Sequence, residues 1–153
     1  MRIKYFYTLM SEKQLFSIVL FIIALLVSCS RQPAYPEPPL KESEVIINVN
    51  MLQSERPVFF SYRYHGKNIN FFVIKIGDTI LSFLDACMSC YPSKLGYRID
   101  NGYITCRACN TRYSPSDIEQ GVGGCFPIRI QGYLHDEEYH IPASHLENMA
   151  DKF

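Results

Sequence analysis

From Glu44 onward, apolar and polar residues alternate with a period close to two, the spacing that places one side of a β-strand against a core. Four runs carry this pattern: Val45–Val49, Pro57–Tyr64, Ile69–Ile76 and Thr79–Leu84. His65-Gly66-Lys67 and Gly77-Asp78 punctuate the last three as turns. The bulky β-branched and aromatic content of these runs suits a packed sheet. A second hairpin is predicted where Tyr97-Arg98-Ile99 and Tyr103-Ile104-Thr105 flank Asn101-Gly102, a strong two-residue turn signal. Tyr139–Ile141 reads as one more short strand. A last helix is expected over Leu146–Phe153, with Ser144 as N-cap and Glu147 completing a capping box. These elements make a mainly β, small α+β domain: a compact antiparallel sheet with an inserted Cys-x-x-Cys hairpin and a short C-terminal helix.

The N-terminus follows a different pattern. Leu15 to Val27 is a continuous 13-residue apolar run behind Arg2, Lys4 and Lys13. Crossing a bilayer takes about 20 such residues, whereas a secretory leader uses about 7–15. The run ends in Leu26-Val27-Ser28-Cys29, which resembles a bacterial lipobox: a small residue before the cut, then a thiol to carry the lipid. An uncleaved signal anchor with an incidental cysteine is the plainer alternative. Residues 30–39 hold four prolines and no apolar period, as an extended tether does. The expected organisation is a signal peptide over 1–28, a lipidated Cys29 with a Pro-rich tether over 29–43, and a cysteine-rich domain over 44–153. The domain would face the extracytoplasmic side of the cell envelope, membrane-anchored through lipid. Ser30 lacks the acidic character that holds lipoproteins at an inner membrane, so an outer membrane is favoured where the cell has one.

Composition adds little beyond a globular character, with 48% apolar and 14% aromatic residues. Charge is balanced at 15 basic and 15 acidic residues. Without the leader, which takes Arg2, Lys4, Lys13 and Glu12, 12 basic and 14 acidic remain, a net charge of −2. That balance argues against nucleic acid as a partner. No Ser-His-Asp arrangement, phosphate-cradling glycine loop or pair of carboxylates placed for hydrolysis is present, which disfavours hydrolases. A non-enzymatic electron-transfer or metal-binding role is the better expectation.

The six cysteines change the picture more. Beyond Cys29, Cys87 and Cys90 form one Cys-x-x-Cys unit; after 15 residues come Cys106 and Cys109, and after 15 more Cys125. Two such units at this separation are the spacing of paired knuckles on one metal. Two intervening residues let both sulfurs turn inward at the tetrahedral angle that zinc or iron accepts, and the Asn101-Gly102 hairpin returns the second unit beside the first. Disulfides compete, since an oxidising compartment permits them, although five cysteines leave one unpaired. A thiol–disulfide motif also competes, but usually uses a single unit at a helix N-terminus. Met88 adds a soft thioether inside the first unit. His135, His140 and His145, with Asp136, Glu137 and Glu138 among them, form a weaker candidate for a second site. His65 reads as a solvated turn residue, and Asp85 as a structural partner of the first knuckle.

Cys87-Met88-Ser89-Cys90, Gly96-Tyr97, Cys106-Arg107-Ala108-Cys109, Tyr113 and Gly123-Gly124-Cys125-Phe126-Pro127-Ile128 resemble the FtrD-like family, membrane-associated iron–sulfur-containing proteins linked to bacterial iron uptake. Phe59-Phe60, Gly66-Lys67, Asn70-Phe71-Phe72-Val73, Asp85-Ala86, Ile141-Pro142, Leu146 and Phe153 extend the likeness over nearly the whole domain. The resemblance implies an extracytoplasmic redox-active centre with ligands drawn from Cys87, Cys90, Cys106, Cys109 and Cys125. An iron–sulfur cluster is the implied cofactor, with zinc as the alternative for the same sulfurs. Phe83, Leu84, Tyr91, Tyr113 and Phe126 would then shield it. Family members often carry a multi-helix membrane region ahead of this domain. Here only the lipobox precedes it, so membrane iron-transport or redox partners would be separate proteins. A zinc-stabilised scaffold and a thiol–disulfide or soft-metal carrier are the competing functions.

Overall fold

The structure, a computed structural model, describes residues 16–18 and 35–153. The chain divides into two units, Met1–Ala34 and Tyr35–Phe153. In the first, residues 16–18 are helical; Cys29 lies outside the described residues. The second unit holds eleven strands in three antiparallel sheets.

The central sheet is built from β3 (Val58–Tyr64), β4 (Lys67–Ile76), β5 (Thr79–Cys87) and β9 (Pro127–Ile130), in that order. Its first three strands are the predicted second, third and fourth runs, paired in chain order as a meander. The turn between β3 and β4 is tighter than the sequence suggested: His65 and Gly66, at φ 46° and 77°, form it alone, and Lys67 already pairs with Tyr64. Left-handed residues in both positions give a two-residue hairpin the twist that matches its strands. Asn101 and Gly102 do the same, at φ 50° and 82°, between β6 (Tyr97–Asp100) and β7 (Tyr103–Cys106).

β4 and β5 are buried on both faces, which explains their near-continuous apolar sequence. Ile69, Phe71, Val73, Leu84 and Ala86 point into one core, together with Val45, Ile47, Tyr139, Ile141 and Leu146. The opposite residues, Phe72, Ile74, Leu81 and Phe83, point into a second core with Tyr97, Ile104, Tyr113, Ile118, Cys87, Cys106 and Cys125. The central sheet is thus covered on each side. On the first side lies the sheet β1 (Leu40–Lys41), β2 (Glu44–Asn48), β11 (Glu138–Pro142) and β10 (Tyr133–His135), ordered β1-β2-β11-β10. On the second lies the small sheet of β6, β7 and β8 (Arg112–Tyr113), the inserted cysteine-bearing hairpin.

The folded unit includes residues ahead of Glu44. The Tyr35 ring stacks on Phe59 at 5.1 Å, and the Pro36 and Pro39 carbonyls accept the N–H groups of Ser61 and Ile46.

The expected C-terminal helix is shorter and earlier. α1 spans Ala143–Glu147 with Pro142 at its N-cap, and a single 3₁₀ turn, Ala150–Lys152, follows. Because β11 runs directly into the helix, Ser144 falls inside it, and its hydroxyl makes no cap. Glu147 instead accepts a 2.8 Å hydrogen bond from the Tyr62 hydroxyl on β3. Tertiary contact has displaced the local capping box.

Candidate metal centre

Each cysteine is positioned by its own backbone device. Cys87 ends β5 opposite Pro127, after a register shift between Phe83 and Cys87 that bulges the strand; bulges of this kind re-aim side chains beside functional sites. The chain then turns so that the N–H of Cys90 lies 3.2 Å from the Cys87 carbonyl and 3.3 Å from its sulfur. Cys106 closes β7 opposite Tyr97. Cys109 follows in the turn to β8, where Asn110 at φ 59° reverses the chain and donates its N–H to the Cys106 carbonyl. Cys125 ends a tight turn that starts at Val122, with reciprocal backbone bonds of 3.0 and 3.1 Å between the two residues. Gly123, at φ 61°, takes the left-handed position there.

Cross-links tie these three segments together. Asp85, buried in the β5 bulge, accepts the Tyr97 N–H at 2.6 Å and the Tyr35 hydroxyl at 3.2 Å. The Gly96 carbonyl accepts the Arg107 N–H at 3.0 Å, fastening the second knuckle to the start of β6. The Tyr113 hydroxyl donates to the Cys125 carbonyl at 3.0 Å. Ser89 Oγ donates to the Gly124 carbonyl at 2.6 Å, and the Met88 N–H to the Phe126 carbonyl at 2.9 Å. Asp85 is therefore structural, as expected. Ser89 and Thr111 went unread in the sequence because a hydroxyl beside a cysteine carries no periodic signal.

All five predicted cysteines converge, and all five are free thiols. The sulfurs of Cys87, Cys90, Cys106 and Cys125 lie within 4.8 Å of one another. Cys87 and Cys125 approach to 2.9 Å, and Cys109 stands 3.6 Å from Cys125. Four thiolates bound to one ion at about 2.3 Å sit roughly 3.8 Å apart at tetrahedral angles, so this separation suits a metal. Exposure divides the five: Cys87, Cys106 and Cys125 are buried, Cys90 is half-buried and Cys109 is exposed.

The electrostatics divide them further. Burial, reinforced by hydrogen bonds from Cys87 and Cys109, drives the Cys90 thiol well above its ordinary range. Burial and contact with Cys87 push Cys125 up to about 11. Cys109 moves the other way, to about 6. Burial works against its thiolate, but the Thr111 hydroxyl (3.1 Å) and backbone, with Cys106 and Cys125, outweigh it. Crowded buried thiols resist ionising together, and a soft cation removes that resistance because a coordinated thiol is deprotonated outright.

The shielding residues divide between the cores. Phe83 and Tyr113 belong to the second core with the cysteines, whereas Leu84 faces the first core and Tyr91 packs against it. Phe126 is 42% exposed and lies over Gly121, where any side chain would strike its ring. Met88 is exposed.

The histidines do not assemble into a comparable group. The rings of His135 and His140 are 6.0 Å apart, while His145 Nδ1 lies 2.9 Å from the Gln131 carbonyl. His140 Nδ1 sits 3.0 Å from Glu44, whose carboxylate also accepts the Tyr133 hydroxyl at 2.8 Å. Among the described residues, only the cysteines gather three or more ligand atoms within metal-binding reach. His65 is an exposed turn residue.

The sequence profile of a family described as "Membrane iron-sulfur containing protein FtrD-like" matches residues 52–153, about two thirds of the chain. The chain belongs to the FtrD-like family. No curated protein and no solved structure matches it. The matched span contains the whole central sheet, both Cys-x-x-Cys units and Cys125. An iron–sulfur cofactor is consistent with the donor set of this FtrD-like protein, which is all sulfur and soft. Among the described residues, no helix is long and apolar enough to cross a membrane.

Proposed function

We propose that this FtrD-like protein is an electron-transfer lipoprotein of the cell envelope, anchored through Cys29, whose iron–sulfur centre serves iron uptake. Cys87, Cys90, Cys106 and Cys125 are the proposed ligands, and Cys109 is the thiol at the mouth of the site. The supporting observation is the gradient of exposure across one sulfur cluster: three thiols are sealed in the second core, and the fifth reaches solvent. A buried thiolate centre is protected from hydrolysis and keeps its potential, while an edge near the surface lets a partner exchange electrons with it. When bound, the centre supplies one-electron chemistry. The chain itself fixes the sulfurs through the β5 bulge, the two knuckle turns and the Gly-Gly turn, and excludes water with Phe83, Tyr97 and Tyr113.

Anaerobic purification with metal analysis and an absorption spectrum tests this reading. Iron with visible absorption that bleaches on reduction is expected. A colourless protein with one zinc per chain, prepared under the same strict anaerobiosis, would favour a scaffold role and overturn it. Incorporation of labelled fatty acid by the wild type and its loss in Cys29→Ala test the anchor.

A further inference from the structure

We propose that the outer face of the small β6-β7-β8 sheet, where Arg98 and Arg112 flank Thr105, docks an acidic surface of a partner protein. Strand register defines this face. Arg98 pairs with Thr105 and Thr105 with Arg112, so the three share one side of the sheet. Ile104 and Cys106, their neighbours on β7, point the opposite way into the second core. Asp100 and Tyr103 form the next row on the outer side.

Charge selects the occupant. The segment from Lys94 to Arg112 carries Lys94, Arg98, Arg107 and Arg112 against the single acid Asp100, a net of +3 in a chain of net charge zero. Elsewhere Lys41, Arg63 and Arg129 are each paired with a glutamate. Among the described residues, Arg98 and Arg112 have no such partner: Arg98 donates to the Asn110 side chain at 3.3 Å, and Arg112 to the Asp100 carbonyl at 3.5 Å. The Arg112 guanidinium also lies 4.3 Å over the ring of Tyr103, which is 43% exposed. Arginine and tyrosine presented together are the residue types that dominate protein interfaces. Between the arginines, Thr105 is 1% exposed, and its hydroxyl has no hydrogen-bond partner among the described residues. Thr105 is therefore covered, and Arg98 and Arg112 on either side of it are the groups this face presents to a partner. An open sheet face suits the carboxylates of a protein surface better than a small enclosed anion.

The location gives the face its use. β7 leads directly into Cys106, and the turn between β7 and β8 carries Cys109. A partner held by Arg98 and Arg112 would therefore lie against the exposed edge of the sulfur cluster. That purpose rests on the electron-transfer reading, whereas the binding itself does not.

The test uses the full-length protein in detergent with its centre loaded, and poly-L-glutamate as the acidic polypeptide probe. Salt-sensitive binding is expected. Arg98→Gln with Arg112→Gln should weaken it roughly tenfold, the size of two lost exposed charge contacts. Arg56→Gln with Arg63→Gln removes equal charge elsewhere and should leave binding unchanged. Charge reversal, Arg98→Glu with Arg112→Glu, should transfer the preference to poly-L-lysine, a gain that misfolding cannot produce. Equal weakening by both neutral pairs would overturn the proposal. So would citrate that binds the arginine face as tightly as poly-L-glutamate, or phosphatidylglycerol vesicles that need these arginines when poly-L-glutamate does not. The absorption spectrum of each sample is read separately, so a zinc-only centre would sink the redox reading and leave the docking result standing.

Discussion

Gly96 is the position where one added methyl group should unfasten the cysteine hairpin. It occupies φ 65°, a conformation that costs an L-residue about 1–2 kcal/mol. A methyl carbon there would also meet Asp85, with Cγ and Oδ1 both 2.6 Å away. Asp85 cannot swing aside cheaply, because it is 3% exposed and holds the Tyr97 N–H at 2.6 Å. Displacing it breaks that hydrogen bond and leaves a buried N–H unpaired, a cost of about 1–3 kcal/mol. Gly96→Ala should therefore cost about 2–5 kcal/mol, a large fraction of the ~5–15 kcal/mol that holds a domain together. Gly102→Ala is the matched control: φ is 82°, and nothing lies within 4 Å of the added carbon, so only the backbone cost of about 1–2 kcal/mol applies. Urea unfolding of both variants reads the difference. Equal losses would refute the argument, since Asp85 would then contribute nothing to fastening the hairpin.

Three further outcomes are expected. Cys109→Ser should retain the metal centre while Cys125→Ser loses it, read by metal analysis of anaerobically purified protein; the reverse order would exchange their roles. Ser82→Ala should cost about 1–3 kcal/mol in urea unfolding, because the fully buried Ser82 hydroxyl donates to the Ile130 carbonyl at 2.9 Å and lies 3.0 Å from the Tyr139 hydroxyl. Glu44 has its carboxyl held below the ordinary value, first by the Tyr133 hydroxyl and then by His140. A lowered folded pKa contributes stability that is present above the unfolded value and lost as pH falls through the folded one. Glu44→Gln should flatten the decline in stability below about pH 4.5, and an unchanged acid limb would count against the Tyr133–Glu44–His140 contact.

The elements legible in the sequence are those whose information is local. Ile69–Ile76 announces a strand, and His65-Gly66 and Asn101-Gly102 announce their hairpins, because period and turn geometry act over a few residues, although the burial of that strand on both faces emerges only in the fold. β8, β9 and β10 are short, and β10 is exposed throughout, so no period marks them. Their place depends on distant partners, as when β9 pairs with β5 and completes the central sheet. The misjudged helix start has the same origin: Glu147 matches a capping pattern in sequence, but Tyr62, 85 residues away, holds its carboxylate. At the site, spacing predicted that the two Cys-x-x-Cys units meet on one metal, and the family resemblance added Cys125 to the candidate ligands. The exposure of Cys109 was not readable, since it depends on how the β7–β8 turn meets the Cys125 loop.

The placement of the cysteines within the second core has a dynamic consequence. Cys87, Cys106 and Cys125 pack in one cluster with Phe72, Tyr97, Ile104 and Tyr113, so metal binding and the packing of that core are one equilibrium. The first core contains none of the cysteines and is closed by β2, β11 and α1. β4 and β5 serve both, and of the two only β5 carries a cysteine, sending Leu84 and Ala86 to one side and Phe83 and Cys87 to the other. Loss of metal should therefore loosen residues 88–126 as a unit while β2 and β11 stay protected, because local openings follow the boundaries of cooperative packing. Hydrogen exchange before and after chelation measures this directly. Uniform deprotection of both cores would mean that the bulged end of β5 transmits the disturbance and that the two layers fold as one.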